Sequence, residues 1–340
     1  MSETETDPQE NKESVAGALL SGSVTGALRK MTVPMLFGMV AMIAVNLIDT
    51  YWVSKLGTDA LAAMSFTFPV QSFVINVSIG LLVGTSVVVA QAVGAGRPEE
   101  ARRLTTDATI LALGIVLFVT TLGLLFQDQL FGLLGAEGPI LDDVKAYMTP
   151  WFIGVGFLVV PMIANGALRA LGDAKTPMRV MMLGATINAL LDPLLIFGWG
   201  PIPSLGLQGA AIATVVARFI AMLVVFYILI YRARLLDFNL PSFATLKASW
   251  ARVGRVAFPA IVTNAVGPIA VGILTGMVAL HGPDALAAWG IGARIDAVFL
   301  LLPFALSGAL SPFVGQNYGA HLRARVSEGL QKSMVFAVGW

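Results

Sequence analysis

Asp59-Ala-Leu-Ala-Ala63 occurs a second time as Asp284-Ala-Leu-Ala-Ala288, 225 residues further along a chain of 340 residues. At this offset and without a gap, 11 of the 37 positions in 59–95 are identical to their counterparts in 284–320. The same offset relates two prolines upstream, Pro34 and Pro259. Shared Ala, Gly and Val content alone does not explain one register over a loop, a long apolar segment and a distant proline. The sequence therefore predicts two structural units built on one plan.

The composition places these units in a membrane. Hydrophobic residues make up 57% of the chain and charged residues 12%, and the mean hydropathy is +0.82. A soluble domain carries about a quarter charged residues, so the composition excludes a soluble enzyme, a nucleic-acid-binding protein and a disordered chain. The net charge of +1 creates no field that would attract a polyanion. The lack of cysteine excludes disulfides and thiolate metal sites.

Nine apolar runs follow a polar N-terminal tail. About 20 residues cross the hydrocarbon core; eight runs reach that length, and the ninth stops at the end of the chain. The runs are 31–54, 60–94, 105–126, 144–168, 176–198, 206–231, 253–280, 284–318 and 326–340. Six runs lie within one repeat offset, so the two units share one orientation. We predict an all-α polytopic membrane protein with two six-helix lobes, the second incomplete, with about 8–9 of 12 helices present.

The distribution of basic residues predicts the orientation in the membrane. With the N-terminus in the cytoplasm, 17 of the 21 Lys and Arg residues lie in inner segments, and only Lys55 and Lys145 lie in outer ones. The remaining two, Arg218 and Arg294, fall within apolar runs. We therefore expect an integral protein of the plasma membrane with a cytoplasmic N-terminus.

The repeat also predicts domain boundaries. We expect a cytosolic polar tail, an N-lobe of six helices, a cytosolic linker and a partial C-lobe, at residues 1–28, 29–232, 233–252 and 253–340. If the first unit ends near Arg232, the offset of 225 places the end of the second near residue 457, beyond Trp340. We therefore expect a C-terminally truncated fragment of a protein of about 450 residues, so that transport is a property of the parent protein.

Motifs of catalysis and of ATP hydrolysis are missing. The sequence contains no P-loop segment Gly-x-x-x-x-Gly-Lys-Ser/Thr, no His-Glu-x-x-His and no Gly-x-Ser-x-Gly. We predict a protein that is not an enzyme, has no catalytic residues and carries no cofactor.

Ionisable residues inside apolar runs are costly and point to function. Asp49 in the first run and Asp192 in the fifth lie about 7 Å and 9 Å from the outer ends of their helices at 1.5 Å per residue, hence at similar depth. Asn188 shares a helical face with Asp192, and Pro193 leaves one backbone carbonyl without its donor. Carboxylate, amide and carbonyl oxygens suit Na⁺ or a shared proton.

Each of these polar residues also has a structural interpretation. Asp49 can lie at the interface and pair with Lys55, and Asp192 can form an ion pair with Arg218. Thr214, on the same helical face as Arg218, extends the polar cluster or bonds to its own helix backbone.

Two further features stay open between function and structure. Arg294 and Asp296 are two positions apart and point to different faces, so a structural ion pair is at least as well supported as a transport role. Pro34 indicates either a kink in the first helix or the proline of a first helical turn.

Several motifs resemble those of prokaryotic MATE (multidrug and toxic compound extrusion) transporters. The first is Asn46-Leu-Ile-Asp-Thr-Tyr-Trp-Val-Ser-Lys-Leu-Gly57. The others are Asp59-Ala-Leu-Ala-Ala63, Gln91-Ala-Val-Gly-Ala95, Arg169-Ala-Leu-Gly-Asp-Ala-Lys-Thr-Pro177, Asn188-x-x-x-Asp-Pro193, Gly206-x-x-Gly-Ala-Ala-Ile-Ala-Thr214 and Val314-Gly-Gln-Asn-Tyr-Gly319. They cover about residues 30–320, and their order and spacing are more specific than any single motif.

The resemblance implies twelve helices in two lobes around a V-shaped cleft, with the coupling site in the N-lobe. The coupling residues are Asp49, Asn188, Asp192 and Thr214, and the first three are the expected ligands if the ion is Na⁺. To the substrate cleft we assign Tyr147 and Asn165, which match polar residues of the family's fourth helix, together with the charged residues Arg294 and Asp296 inside an apolar run. Pro34 falls on the proline at which the family's first helix bends. Residues 253–280 lack the acid that another branch of the family has in its seventh helix, so no C-lobe cation site is expected.

We therefore predict a secondary active antiporter that exports cationic or amphipathic compounds in exchange for H⁺ or Na⁺ by alternating access. Its expected partners are these small molecules and the lipid bilayer, with no nucleic acid, and it is expected to act as a monomer. Two alternatives stay open: a lipid-linked oligosaccharide flippase of the same superfamily, and a non-transporting scaffold or channel subunit.

Overall fold

The computed structural model describes residues 19–201, 203–239 and 241–340. Helices account for most of these residues. In chain order, α1 to α10 are Val24–Ser54, Thr58–Gly94, Pro98–Leu133, Gly138–Gly154, Gly156–Ala170, Lys175–Phe197, Gly206–Tyr227, Phe243–Ala279, Pro283–Gly319 and Arg323–Gly339. A π-helical turn, Ile228–Arg232, continues α7.

The number of membrane crossings agrees with the apolar runs. Within the described residues, seven helices are long and apolar enough to cross a membrane, and α4 and α5, which meet at 41°, form an eighth crossing if taken together. The protein is thus an all-α polytopic membrane protein with a partial second lobe, as predicted. The helices extend beyond the apolar runs: α3 begins at Pro98 and α8 at Phe243, because polar helix turns can continue outside the hydrocarbon core.

Local sequence explains the bend between α4 and α5. Gly154 and Gly156 lie at the break, and a side chain at Gly154 would collide with Val215 on α7. Pro150 lies inside α4 and Pro161 inside α5, where each removes a backbone donor. The fourth crossing is therefore a bent pair that packs closely on α7.

The repeat appears in the structure as a reciprocal helix crossing. The two repeated helices, α2 and α9, are 37 residues each. A Cβ at Gly94 would collide with the backbone carbonyl of Gln316, and a Cβ at Gly319 would collide with that of Gln91. Gln91 and Gln316, like Gly94 and Gly319, are related by the offset of 225. The same contact is thus made twice, once from each lobe, at one side of the membrane, which we call the closed side.

Towards the opposite side, which we call the open side, the lobes separate. Gly80 and Gly84 of α2 leave no space for a side chain against Ile261 and Ala257 of α8. Beyond Ile261, α8 is mostly exposed, and Ile269, for example, is 61% accessible. The N-lobe interior is therefore approached from the open side.

Candidate functional site: a polar chamber in the N-lobe

The polar residues predicted from the sequence converge inside the N-lobe. Asp49 on α1 is 6% exposed, and on α6 Asn188 is 3% and Asp192 0% exposed. The Asn188 amide Nδ2 donates to Asp192 Oδ1 and to Thr214 Oγ1 on α7, each at 3.2 Å. One amide thus links the carboxylate of α6 to the neighbouring helix. We call this group, together with Tyr147 of α4, the N-lobe chamber.

The close approach of α6 and α7 has a local cause. A Cβ at Gly209 of α7 would collide with the backbone carbonyl of Leu195 on α6, so only glycine allows the two helices to pack at this distance. Pro193 lies inside α6 and has no N–H, so the carbonyl of Ala189 one turn earlier lacks its usual helical donor. The close packing holds Asn188 of α6 against Thr214 of α7, and the proline leaves a backbone acceptor one helical turn before it.

Several buried oxygens in this part of the N-lobe have no hydrogen-bond partner among the described residues. They are Oδ1 of Asp49, Oδ1 of Asn188, Oδ2 of Asp192 and Oδ1 of Asn165. A buried acceptor left unsatisfied costs about 1–3 kcal/mol, so these atoms are suited to a proton, a small cation or water. No group of three or more His, Cys, Asp or Glu that could hold a metal ion occurs within the described ranges. The chemistry favours H⁺ or a hard monovalent cation over a transition metal.

Tyr147 and Arg218 complete the electrostatic environment. Tyr147, 3% exposed, lies within electrostatic reach of Asp49, Asp192 and Arg218 and faces Gln71 of α2. Arg218 follows Thr214 by four residues on α7 and lies within electrostatic reach of Asp49 and Tyr147. The chamber thus contains two acids, a phenol and one guanidinium.

The described part of the structure does not contain the two ion pairs, Asp49 with Lys55 and Asp192 with Arg218, that would give the acids a purely structural role. Among the described residues, neither Asp49 nor Asp192 forms an ion pair within 4.0 Å. Lys55 lies over the ring of Tyr51, 5.0 Å from its centroid. The predicted pair between Asp192 and Arg218 is likewise not formed.

The substrate-cleft residues divide into two groups. Tyr147 is buried within electrostatic reach of the two acids. Asn165 is buried on α5, and no hydrogen bond joins it to the coupling residues among the described residues. Asp296 is exposed on α9 and does not lie in the chamber. The side chain of Arg294 lies outside the described part of the structure.

Pro34 lies well inside its helix. It is buried and follows the start of α1 at Val24 by ten residues. The interpretation as a proline of the first helical turn is therefore wrong, because the helix begins earlier than the apolar run. Its role as a bending point stays a prediction.

Two further polar residues inside apolar runs were not predicted from the sequence. Gln71, in the long α2 run, donates to Thr67 Oγ1 at 3.2 Å and faces the chamber residue Tyr147. Asp107 on α3 is 0% exposed, and neither carboxylate oxygen has a partner among the described residues. An isolated polar residue inside an apolar run is the signal that identifies both.

Within the described residues, seven helices and one bent pair that can cross a membrane, a repeated lobe that is partly present and a buried polar cluster are features of a membrane transporter. The family model described as MatE matches residues 34–194 and 259–340. The chain belongs to this family of transporters.

Relatives and solved structures support the same assignment. The chain is 38% identical over 318 residues to a FAD transporter of Shewanella oneidensis, covering 94% of this chain and 70% of that protein. It is 28% identical to a probable multidrug resistance protein, NorM, of Thermotoga maritima, over 92% of this chain and 66% of that protein. The chain thus spans about two thirds of the length of these two relatives.

Two structural neighbours share the arrangement of helices. One is an outward-facing multidrug resistance MATE family transporter, with a TM-score of 0.85, 30% identity, and coverage of 94% of this chain and 70% of that one. The other is a transporter of the MOP superfamily from Pyrococcus furiosus, with a TM-score of 0.83, 28% identity, and coverage of 95% and 71%.

Proposed function

We propose that the protein is a secondary active transporter that exports organic compounds in exchange for H⁺ or Na⁺, with the N-lobe chamber as the coupling site. The observation that carries this proposal is the pair of buried acids, Asp49 and Asp192, whose free oxygens have no partner among the described residues. Charged groups at this depth are costly, and for that reason their presence indicates a functional site. A proton or cation that neutralises them removes that cost.

The coupling follows from competition within one chamber. When the acids are ionised, the chamber attracts a cationic cargo; when they are neutral, this attraction is lost and the walls pack more closely. Since the lobes meet at the closed side and separate at the open side, the chamber accepts the driving ion from the open side. With a cytoplasmic N-terminus, as the basic residues favour, the open side is extracellular.

Cationic or amphipathic compounds are our first choice of cargo. The chamber has two carboxylates against one guanidinium, and multidrug resistance proteins such as NorM of Thermotoga maritima are among the relatives. The location in the plasma membrane belongs to the same proposal.

A flavin dinucleotide is a second candidate cargo. The relative from Shewanella oneidensis that is 38% identical is named a FAD transporter. Arg218, a cation beside the chamber acids, gives this candidate a structural basis, because FAD carries a diphosphate.

Export of a cationic dye tests the coupling. Cells that produce the full-length protein should accumulate less ethidium than control cells, and an ionophore that collapses the gradient should abolish the difference. Asp49→Asn should remove gradient-driven export at unchanged membrane abundance, because the substituted residue cannot exchange a proton. Asp59→Asn is the matched control, since Asp59 is an exposed acid at the start of α2. Full export by the Asp49→Asn protein would overturn the assignment of the coupling site.

A further inference from the structure

Arg218 is a charged residue deep in the membrane that has no direct partner among the described residues. It lies twelve residues into α7 from Gly206, about 18 Å along the helix at 1.5 Å per residue. Among the described residues it forms no hydrogen bond, and no ion pair involves it within 4.0 Å. Membrane-embedded arginines normally pair with an acid or a backbone carbonyl, and their presence indicates function.

The electrostatic neighbours of Arg218 come from two other helices, with Asp49 on α1 and Tyr147 on α4. The titratable groups of the chamber are Asp49 on α1, Tyr147 on α4 and Asp192 on α6. Asp49 is close enough to interact electrostatically with Arg218 but too far for a hydrogen-bonded ion pair. With both acids ionised the chamber carries a net charge of −1, and with both neutral it carries +1. The sign of the net charge of the chamber therefore depends on whether the two acids are ionised, while the guanidinium stays charged.

We propose that Arg218 is an anion anchor, which binds a phosphate or carboxylate group of the transported molecule when Asp49 is neutral. This inference rests on the proposed function, in which the chamber belongs to the transport pathway. A guanidinium offers planar, paired donors that match the oxygens of phosphate and carboxylate, and it is less strongly hydrated than an ammonium. Because the side chain is only partly buried, its donors are reachable by a ligand.

With Arg218 as the binding group, an anionic cargo and the proton bind together, whereas a cationic cargo and the proton exclude each other. A cation competes with the proton for the carboxylates, so the two exchange. An anion binds together with the proton, because ionised Asp49 repels the anion and competes with it for the Arg218 guanidinium. The exchange of the proposed function therefore applies to cationic cargo. An anion with two charges that leaves together with one proton still carries negative charge outward, so the membrane potential of a cell whose interior is negative drives its export.

Flavins with different side groups provide the test. The full-length protein in lipid nanodiscs is titrated with FAD, FMN and riboflavin, which share one ring system but carry a diphosphate, a monophosphate and no anionic group. Arg218→Gln should weaken FAD binding by about tenfold or more, the value expected for a charged hydrogen bond, and leave riboflavin binding unchanged. Arg218→Lys should retain part of the FAD affinity. Arg179→Gln, which removes an exposed arginine of the same lobe, should change neither.

A second variant and a fourth ligand test the role of Asp49 and the type of anion that binds. Asp49→Asn should strengthen FAD binding several-fold and make it less dependent on pH, without requiring any change at Arg218. Carboxymethylflavin, which carries a carboxylate instead of phosphate, shows which oxyanion is preferred: binding that depends on Arg218 for FMN but not for this compound indicates a phosphate site.

Specific outcomes would overturn the proposal. An equal loss of FAD and riboflavin binding in Arg218→Gln would show a packing role, and unchanged FAD binding would show no role. If Arg218→Gln does not fold, weaker FAD binding by Asp49→Asn than by the unsubstituted protein would also contradict the anchor. Dye export is measured separately, so failure of coupled export and failure of the anion anchor are distinguishable.

Discussion

At the scale of single residues, Asn188 is the centre of the chamber. Its amide donates to both Asp192 and Thr214, so it orients a carboxylate and joins two helices at once. No other side chain in the chamber has two described partners of this kind. Its own carbonyl oxygen is buried and has no partner among the described residues.

A double-mutant cycle tests the bridge between α6 and α7. Hydrogen bonds between membrane helices contribute about 0.6 kcal/mol on average and up to about 1.7 kcal/mol in such cycles. We therefore expect a coupling free energy of about 0.5–1 kcal/mol between Asn188→Ala and Thr214→Ala. The measurement is the free energy of unfolding in mixed detergent micelles.

Export by the same variants separates orientation from stability. Asn188→Ala should reduce dye export strongly because Asp192 loses its orienting donor, whereas Thr214→Ala should reduce it only slightly. Equal export defects in both variants would contradict the central position of Asn188.

Part of this site follows from sequence because it is local. Residues four apart on a helix share a face, so the contact between Asn188 and Asp192 is readable directly. The depth of Asp49 is readable from its distance to the helix end. The approach of Gln71 to Tyr147 and the separation of Arg218 from Asp192 cannot be predicted from the sequence, because they depend on helix rotation and on packing between helices far apart in the chain.

At the scale of helices, small residues determine how closely neighbours approach. Membrane helices associate without a strong hydrophobic driving force, so glycine allows close van der Waals packing. The repeat predicted that α2 and α9 are equivalent, and the structure adds that these equivalent helices cross each other at their own repeated glycines. The register was available from sequence; the crossing was not, since a repeat does not specify which elements touch.

Gly94→Ala tests this crossing. The added methyl would collide with the Gln316 backbone, and such overpacking costs about 1–3 kcal/mol. We expect Gly94→Ala to lower the melting temperature of the purified protein. Gly114→Ala is the control, since it lies in α3 with no atom near the added methyl and should be neutral or slightly stabilising.

The repeat adds a second measurement to this test. Gly319→Ala should destabilise as Gly94→Ala does, because it makes the equivalent contact with Gln91. The double variant should lose less stability than the sum of the losses in the two single variants, since one shift of α2 against α9 relieves both collisions. Additive costs would show that the two contacts are independent.

At the scale of the whole molecule, the segment before α1 connects the two lobes. Arg325 of α10 donates to the backbone carbonyls of Leu19, Ser21 and Gly22 at 3.3, 3.3 and 2.8 Å. Its Nε also donates to Asn317 Oδ1 of α9 at 3.0 Å. Arg325 and its three backbone partners are about 300 residues apart in sequence, which is why no local sequence pattern predicts these hydrogen bonds. One guanidinium thus fastens the beginning of the N-lobe to the C-lobe at the closed side.

The export mechanism that we propose, in which the two sides open in turn, requires that this fastening be released. Hydrogen bonds to a charged group contribute about 1.5–3 kcal/mol each where they are well formed, so Arg325→Ala should shift the population towards opening at the closed side. The chain contains no cysteine, so a single reporter can be introduced without background. Ala90→Cys is suitable, because Ala90 is 0% exposed on α2 and faces Gly315 of α9.

The rate at which a maleimide labels Ala90→Cys then reports opening. We expect labelling to be faster by about tenfold in the Arg325→Ala background, which corresponds to about 1.4 kcal/mol. Arg323→Ala is the matched control, because this exposed arginine on the same helix makes no side-chain hydrogen bond to another described residue, and it should leave the rate unchanged. Equal labelling in all three backgrounds would mean that the lobes are held together by the helix crossings alone. Faster labelling in Arg325→Ala alone would identify the terminal segment as part of the seal that transport must open.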